Sequence, residues 1–366
     1  MTSIFDSLQQ SLAFLNLDLF VILPLIGLLG GTVIFLVMAV NALVAVYFER
    51  KVSAFMQDRL GPMEVGILGF KGGKKFWGGI GQTLADAIKL LTKEDILPKD
   101  SDKFLMILAP FIIFSGAFLT FIGLPFAQNI VISDFNIGLF YIVAMSSVGV
   151  IGIILAGWSS SNKWSLYGAM RAAAQIISYE IPIGLSLLLV VIVSGSLHLG
   201  DIVQWQETNR WFIFHSPFAF LAFFIYFIST VAETNRTPFD IPEAESELVA
   251  GWMTEYSGFR WALFFLSEYA NMLIVCIVAS IVFLGGWLSP LHIINIFPES
   301  WYIVDGPTLG FFWLSLKAVI LIFVMMWFRW TFPRLRVDQL MYVCWKVFIP
   351  FALANLFFVS LWELIF

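Results

Sequence analysis

The chain has 366 residues, of which 60% are hydrophobic and 12% charged, with a mean hydropathy of +0.90 and a net charge of −5. That balance excludes a soluble globular domain, whose interior could not hide so much apolar surface, and it offers nucleic acid no basic face. Cys276 and Cys344 form no CxxC pair and His198, His215 and His292 are scattered, so no iron–sulfur, zinc or haem site is expected.

The first residues, MTSIFDSLQQSLAFLNLDLF, lack a basic stretch ahead of an apolar core, so no cleavable signal peptide is expected. Eight apolar runs follow, at 20–46, 104–124, 137–157, 173–194, 214–232, 262–287, 309–329 and 347–365. They predict an all-α polytopic membrane protein, a single membrane domain over 1–366. The first run, about 27 residues, would measure roughly 40 Å and must tilt or protrude. No internal repeat suggests the two halves of a secondary transporter.

The connection 47–103 carries ten Lys and Arg residues. Connections on the same side add Lys163, Arg171, Arg236, Arg260, Arg329, Arg334, Arg336 and Lys346. The opposite side has only Arg210, and Lys317 lies within a span. The basic side is therefore expected to be cytoplasmic, with both termini outside. The three histidines then fall near the outer face, where solvated or interfacial positions are expected.

Within 47–103, WGGIGQTLADAIKLLTKEDILP reads as an amphipathic helix of about four turns over 77–92. Ile80, Leu84, Ile88 and Leu91 make one stripe, and Gln82, Asp86, Lys89 and Lys93 another. Such a helix lies along the membrane surface, either as an anchor or as the wall of a lateral entry for a lipid-like ligand. In FERKVSAFMQDRLGP, Arg50 and Arg59 bracket Phe55 and Met56. Cations beside apolar residues suit a polar headgroup on a hydrophobic tail, and ordinary positive-inside residues would look the same.

Glu180 stands in the fourth run and Glu268 about two turns into the sixth. Carboxylates inside spans are expensive and face an interior or a hydrated path. The two readings are a proton relay and a helix-packing hydrogen bond. Lys317 can snorkel outward or pair with a carboxylate inside the bundle.

The densest charge lies in AETNRTPFDIPEAESELVAG, Ala232 to Gly251, with Glu233, Arg236, Asp240, Glu243, Glu245 and Glu247. At about 3 kcal/mol per charge, burying all six in lipid would cost on the order of 18 kcal/mol, so this is a connection. Thr237-Pro238 ends the preceding helix. Asp240 is expected to cap a new one, with Pro242 in its first turn and Glu243 completing a capping box, running to about Ser257 and ended by Gly258. Glu243 and Glu247 would then be neighbours about 6 Å apart. Their repulsion is about 0.7 kcal/mol in water and about 2.8 kcal/mol at an effective dielectric near 20. Spacing leaves a solvated acidic cap and a sheltered proton store both open.

Five stretches resemble one family. They are ERKVSAFMQDRLGP, QTLADAIKLLTKED, GWSSSNKWSLYGAMRAAAQIISYEIP, AETNRTPFDIPEAESELVAGWMTEYSGFRWALFFLSEYANM and RWTFPRLRVDQLMYVCWKVFIP. In that order, and over nearly the whole chain, they resemble the H subunit of bacterial proton-pumping NADH–quinone oxidoreductase, respiratory complex I. The resemblance implies eight membrane helices at the heel of the complex, in the bacterial cytoplasmic (inner) membrane. It implies the membrane side of a quinone chamber and the start of a proton-coupling path. The chain would hold no cofactor, with quinone as substrate and FMN and iron–sulfur clusters in partner subunits. Partners would be the peripheral-arm quinone-site and terminal iron–sulfur subunits, the small membrane-arm subunits and membrane lipids.

By the same resemblance, Glu49, Arg50, Phe55, Arg59, Asp86, Lys89, Glu233, Arg236, Phe239 and Asp240 border the quinone passage. Glu180, Glu243, Glu245, Glu247, Glu255, Glu268 and Lys317 lie on the coupling route, and no residue is assigned a metal or a catalytic role. The functional connections are 47–103 and 233–261. The segment MEVGILGFKGGKKFWGGIG departs from the family pattern, being longer and richer in glycine and lysine. The alternatives are the related subunit of a membrane-bound hydrogenase or formate hydrogenlyase, a stand-alone ion transporter, and a structural scaffold.

Overall fold

The computed structural model describes residues 19–66, 78–128, 130–242, 245–290 and 307–365, with side chains over these ranges except 19–23, 245–246 and 307. Every helix long enough to span is there because an apolar run has nowhere else to bury its backbone polar groups in lipid. The spans are α1 (Leu19–Met56), α3 (Lys103–Ile122), α4 (Gly138–Ser159), α5 (Lys163–Ser194), α7 (Pro217–Glu233), α9 (Gly258–Phe283), α10 (Pro307–Thr331) and α12 (Ile349–Ile365). Among the described residues seven helical stretches are long and apolar enough to cross a membrane, the last running continuously over Val337–Ile365. The eighth, α7, has 17 residues, the lower limit for a span. The protein is thus an all-α multi-pass membrane protein. The shorter elements are α2 (Gly81–Thr92), α6 (Leu199–Thr208), α8 (Glu245–Leu248) and α11 (Val337–Tyr342).

Span ends move where caps dictate. Asp102 accepts from the backbone N–H groups of Phe104 and Leu105, and Asn162 from that of Trp164. Asn162 therefore starts α5 ten residues before the apolar run does, and Gly195, at φ +70°, ends it. Inside α5, Pro182 has no N–H for the carbonyl of Ser178. Cys344 takes that acceptor instead, its Sγ lying 3.1 Å from Ser178 O. Cys344 stands in a π-helical turn, Val343–Phe348, that joins α11 to α12. Nearby, Tyr179 donates to Leu340 O at 3.0 Å.

The most buried span is α9, the axis of the bundle. Its residues Tyr269, Met272, Cys276, Ile281 and Phe283 sit in the main core with Phe121 of α3, Tyr226 of α7 and Met325 of α10. A second core forms at the basic end around Trp252, Met253 and Tyr256 against Ala169, Ala172 and Phe264. The outer faces of α1 and α12 expose Leu28, Leu36, Val40, Phe351, Phe357 and Leu364, as expected for surfaces facing lipid or partner helices.

The helix expected over 240–257 does not form. Among the described residues only α8, four residues, and a 3-10 turn, Gly251–Met253, interrupt the connection. Val249 and Gly251 have φ of +66° and +54°, which no α-helix accommodates. The cause is tertiary. Leu248 is buried, Trp252 and Met253 turn inward to the second core, and Gly251 lies against Gly168 of α5, where an added Cβ would stand 2.7 Å from the Gly251 Cα. Gly258, expected to end a helix, begins α9.

Candidate functional site

Where the spans meet the basic end, six charged groups from four parts of the chain converge. Glu49 of α1 is buried, 5% exposed. One of its oxygens accepts from Arg236 Nη1 at 2.8 Å and from Arg329 Nη1; the other accepts from the Tyr269 hydroxyl. Arg236, 3% exposed, also brings Nη2 within 3.2 Å of Glu268 Oε1, and its guanidinium lies 4.6 Å from the Tyr269 ring centroid. That second contact is too poorly aligned to be a hydrogen bond, and Arg236 Nε and Nη2 have no hydrogen-bond partner among the described residues. Asp240 is buried and accepts from Arg334 Nη2 at 3.0 Å, while its Oδ1 has no such partner.

Three carboxylates thus face three guanidinium groups. A single buried ion costs several kcal/mol, and the balance is what makes the cluster tolerable. Burial pushes the Asp240 carboxyl above its usual range against the opposing pull of Arg334, Arg329 and Arg236. Burial works against the Arg236 charge, but Glu49 and Glu268 outweigh it and hold the guanidinium protonated.

The loop is braced from behind. Gln175 of α5 donates to the carbonyls of Ala232 and Phe239 at 2.8 and 2.7 Å, and Leu335 N donates to Pro238 O. Phe239 is buried against Tyr179, ring centroids 5.6 Å apart. Asp240 caps no helix among the described residues; one of its oxygens accepts from Arg334 instead.

One turn along α9 from Glu268, Asn271 opens on a cavity of about 50 Å³. Glu233, Thr234 and Ser146 contribute the other polar lining, with Ile113, Val150, Ile176 and Val275 among the apolar walls. Polar lining and that volume suit bound water. Glu233 lies within electrostatic reach of Glu180, of like sign. Glu180 accepts a hydrogen bond from Ser147. Four sequence candidates, Glu180, Glu233, Arg236 and Glu268, therefore lie in one connected region.

The remaining candidates are spread along the same end. Arg50 pairs with Asp86 of α2 at 2.6 Å, both partly exposed. Phe55, Arg59 and Lys89 are exposed. The apolar stripe of α2 points outward, with Ile80, Leu84, Ile88 and Leu91 at 37%, 45%, 53% and 63% exposure. That is the orientation of a helix lying on lipid or walling a lateral opening. The helix is three turns, shorter than expected, because residues 78–80 form a turn.

Glu247 is exposed and pairs with Arg171 at 2.6 Å, and Glu255 accepts from Asn162 at 2.6 Å. Glu245 belongs to α8, while Glu243 lies outside the described residues, as does its pairing with Glu247. Lys317 is buried near the other end of the bundle. Its Nζ donates to the carbonyls of Leu284, Gly286 and Leu288 at 2.7, 2.8 and 2.7 Å, beyond the end of α9, and lies 4.1 Å from the Trp211 ring. The histidines are more than solvated. His198 contacts Asp134 and Asp201, and His215 contacts Glu363; His292 lies outside the described residues.

Sequence reading missed Tyr269, Arg329 and Arg334 as members of the cluster. The arginines were absorbed into the positive-inside pattern, and nothing local distinguishes them. Among the described residues no group of three or more His, Cys, Asp or Glu could hold a metal ion.

The chain is similar to known proteins over most of its length. The sequence profile of a family described as NADH dehydrogenase matches residues 30–360. The H subunit of the NADH-quinone oxidoreductase of Chlorobaculum tepidum is 54% identical over 321 residues, 87% of this chain and 86% of that one. The protein of the same name from Bacteroides fragilis is 49% identical over 328 residues, 89% and 87% of the two chains. That of a Geobacillus species is 50% identical over 313 residues, 86% of each.

Proposed function

The chain belongs to the NADH dehydrogenase family, as an H subunit of NADH-quinone oxidoreductase (complex I), and from that premise we propose that it forms the membrane side of the quinone chamber and begins the path that couples quinone reduction to proton movement. The membrane is the bacterial cytoplasmic membrane, with the basic end on the cytoplasmic side. Electrons reach the quinone from NADH through partner subunits, which hold the flavin and iron–sulfur clusters. This chain supplies the walls, the fixed charges and the first proton-carrying groups.

The observation that carries this reading is Arg236 held between Glu49 and Glu268. One guanidinium serves two carboxylates, and only the bond to Glu49 is well aligned. A change of charge at the quinone, next to Arg236 and the unpaired oxygen of Asp240, would redistribute that guanidinium between its two partners. A small geometric shift at a balanced, low-dielectric cluster carries a large electrostatic consequence. Glu268 leads onward. Asn271, three residues along α9 and on the same face, lines the cavity with Glu233, and Glu180 lies within reach of Glu233. Like charges around a site that accommodates water are the arrangement in which a proton is exchanged rather than locked.

Quinone would enter past α2, whose apolar stripe faces out and whose Asp86 is tied to Arg50. Glu247, exposed beside Arg171, belongs to the flank of this path. The test is Glu268→Gln in the assembled complex. Quinone reductase activity and proton pumping are expected to fall about ten-fold, the equivalent of about 1.4 kcal/mol, while an artificial acceptor is still reduced by the peripheral arm. Normal quinone turnover and normal pumping would remove Glu268 from the path.

A further inference from the structure

Arg50 and Lys51 are adjacent in sequence and about 100° apart on α1, so they address different neighbours. Arg50 holds α2 through Asp86. Lys51 is 1% exposed, and the polar partners of its ammonium are backbone oxygens and a thioether. Its Nζ donates to Pro62 O at 2.7 Å and Leu60 O at 3.4 Å, and lies 3.7 Å from Met63 Sδ. A buried ammonium costs several kcal/mol unless its donors are satisfied, so it can rest here only while the chain after α1 folds back over it.

That fold-back is fitted closely to α2. Arg59 N donates to Ala54 O at 2.7 Å, and Gly61 turns the chain at φ +67°. Gly81 N, the first residue of α2, donates to Val65 O at 3.2 Å, and Gln82 N to Gly79 O. Gly79, at φ +82°, lies so near Pro62 that a Cβ would collide with the carbonyl oxygen that Lys51 binds or the backbone beside it. A Cβ on Gly81 would meet the Gly66 carbonyl in the same way. One turn back on α1, Tyr47 completes the joint by donating to Gly78 O at 3.1 Å.

We infer that Lys51 is the positioning residue of α2, fixing through the 57–66 turn where that helix lies and hence how wide the lateral quinone entrance stands. The inference rests on the entrance reading of α2 given above. Arg50–Asp86 is a partly exposed pair of small worth, whereas the Lys51 joint is buried and stereochemically restrictive. The hydrogen bonds of Lys51 go to the 60–63 turn and not to the charge cluster. Its effect is on access, and so on KM for quinones whose tails must pass the helix.

The experiment uses the assembled complex carrying Lys51→Met, which keeps an unbranched side chain one atom shorter and removes its donors, with Lys51→Arg as the conservative variant. Amide hydrogen exchange is followed by mass spectrometry in peptides covering 57–66 and 81–92. In Lys51→Met both are expected to exchange at least about ten-fold faster, while peptides of α5 and α9 are unchanged, and Lys51→Arg restores much of the protection. KM for a long-tailed quinone is expected to change several-fold, with short-tailed quinone KM, kcat and artificial-acceptor reduction near wild type. Unchanged exchange in both peptides would overturn the inference. Faster exchange with equal effects on long- and short-tailed quinones would overturn the entrance reading while leaving the mooring in place. If Lys51→Met does not assemble, Tyr47→Phe weakens the same joint by one hydrogen bond, and protected 81–92 amides in that variant would equally count against it.

Discussion

The two ends of the bundle bury positive charge in different ways. At the basic end Arg236 is neutralised by Glu49 and Glu268, groups that can gain and lose protons. Toward the opposite end Lys317 is held by the carbonyls of Leu284, Gly286 and Leu288, which cannot. An ammonium has three donors and here meets three acceptors where α9 stops and leaves carbonyls exposed. Carboxylates beside a guanidinium can respond to a change of charge nearby; the three carbonyls that Lys317 binds do not titrate. The cluster around Arg236 is the arrangement proposed to respond; the proton-coupling role that the resemblance implies for Lys317 is a separate proposal with its own test.

The sharpest way to break this comparison is Arg236→Met. It leaves the buried Glu49 and the half-buried Glu268 with Arg329 as the remaining guanidinium beside Glu49, and a broken buried pair costs about 3–5 kcal/mol. Quinone reduction is expected to be lost, with artificial-acceptor reduction retained where the complex assembles. Retention of quinone turnover would mean that the cluster is only structural. Lys317→Met strands the carbonyls of Leu284, Gly286 and Leu288 and should cost about 2–3 kcal/mol. A purely structural role predicts a lower temperature of thermal inactivation with the quinone KM and the pH profile of kcat unmoved; the coupling role that the resemblance implies predicts a shifted pH profile.

Glu247→Gln sharpens the boundary of the responsive region. Its pair with Arg171 is 58% exposed on the Glu247 side, so water and salt screen it. Stability should change by less than about 1 kcal/mol and quinone turnover by less than about two-fold. A larger loss of turnover would extend the path to α8 and support the acidic-store reading of this segment.

Much of this was legible in the sequence, for reasons that differ by residue. The spans follow from apolar run length alone. Glu233, Arg236 and Asp240 announce themselves because charges are rare in this chain and dense there. Arg329, by contrast, is 280 residues from Glu49, and Tyr269 is 220 away. No local pattern marks either as a partner, and a basic residue at a span end has a ready alternative explanation. The helix expected after Asp240 failed because local capping grammar was weighed without the burial of Leu248, Trp252 and Met253. Lys51 sits in plain view inside ERK, yet its importance depends on glycines about ten and thirty residues later whose close packing only the fold reveals.

The smallest effect lies away from the basic end, where His198 caps α6. Its Nε2 is 2.6 Å from Asp134 Oδ1, and its Nδ1 lies 3.0 Å from Asp201 Oδ1 and 3.2 Å from the Asp201 backbone N–H. Burial acts to lower the imidazole pKa, but hydrogen bonds and charge from Asp134 and Asp201 together outweigh it and hold the pKa above the usual value. A raised histidine pKa stabilises the fold fully below the unfolded value of about 6.5 and progressively less as pH climbs through the folded value. The loss is partial, because the neutral ring still donates to Asp134 and, through Nδ1, accepts from the helix N–H. Asp201 is 57% exposed, which limits the worth of the pair to under about 1 kcal/mol. The difference in exchange protection over 196–208 between the protein and His198→Gln should therefore narrow, without vanishing, as pH rises from about 6 to about 9. A constant difference would mean that the cap alone, and not the charge, holds this end of the protein.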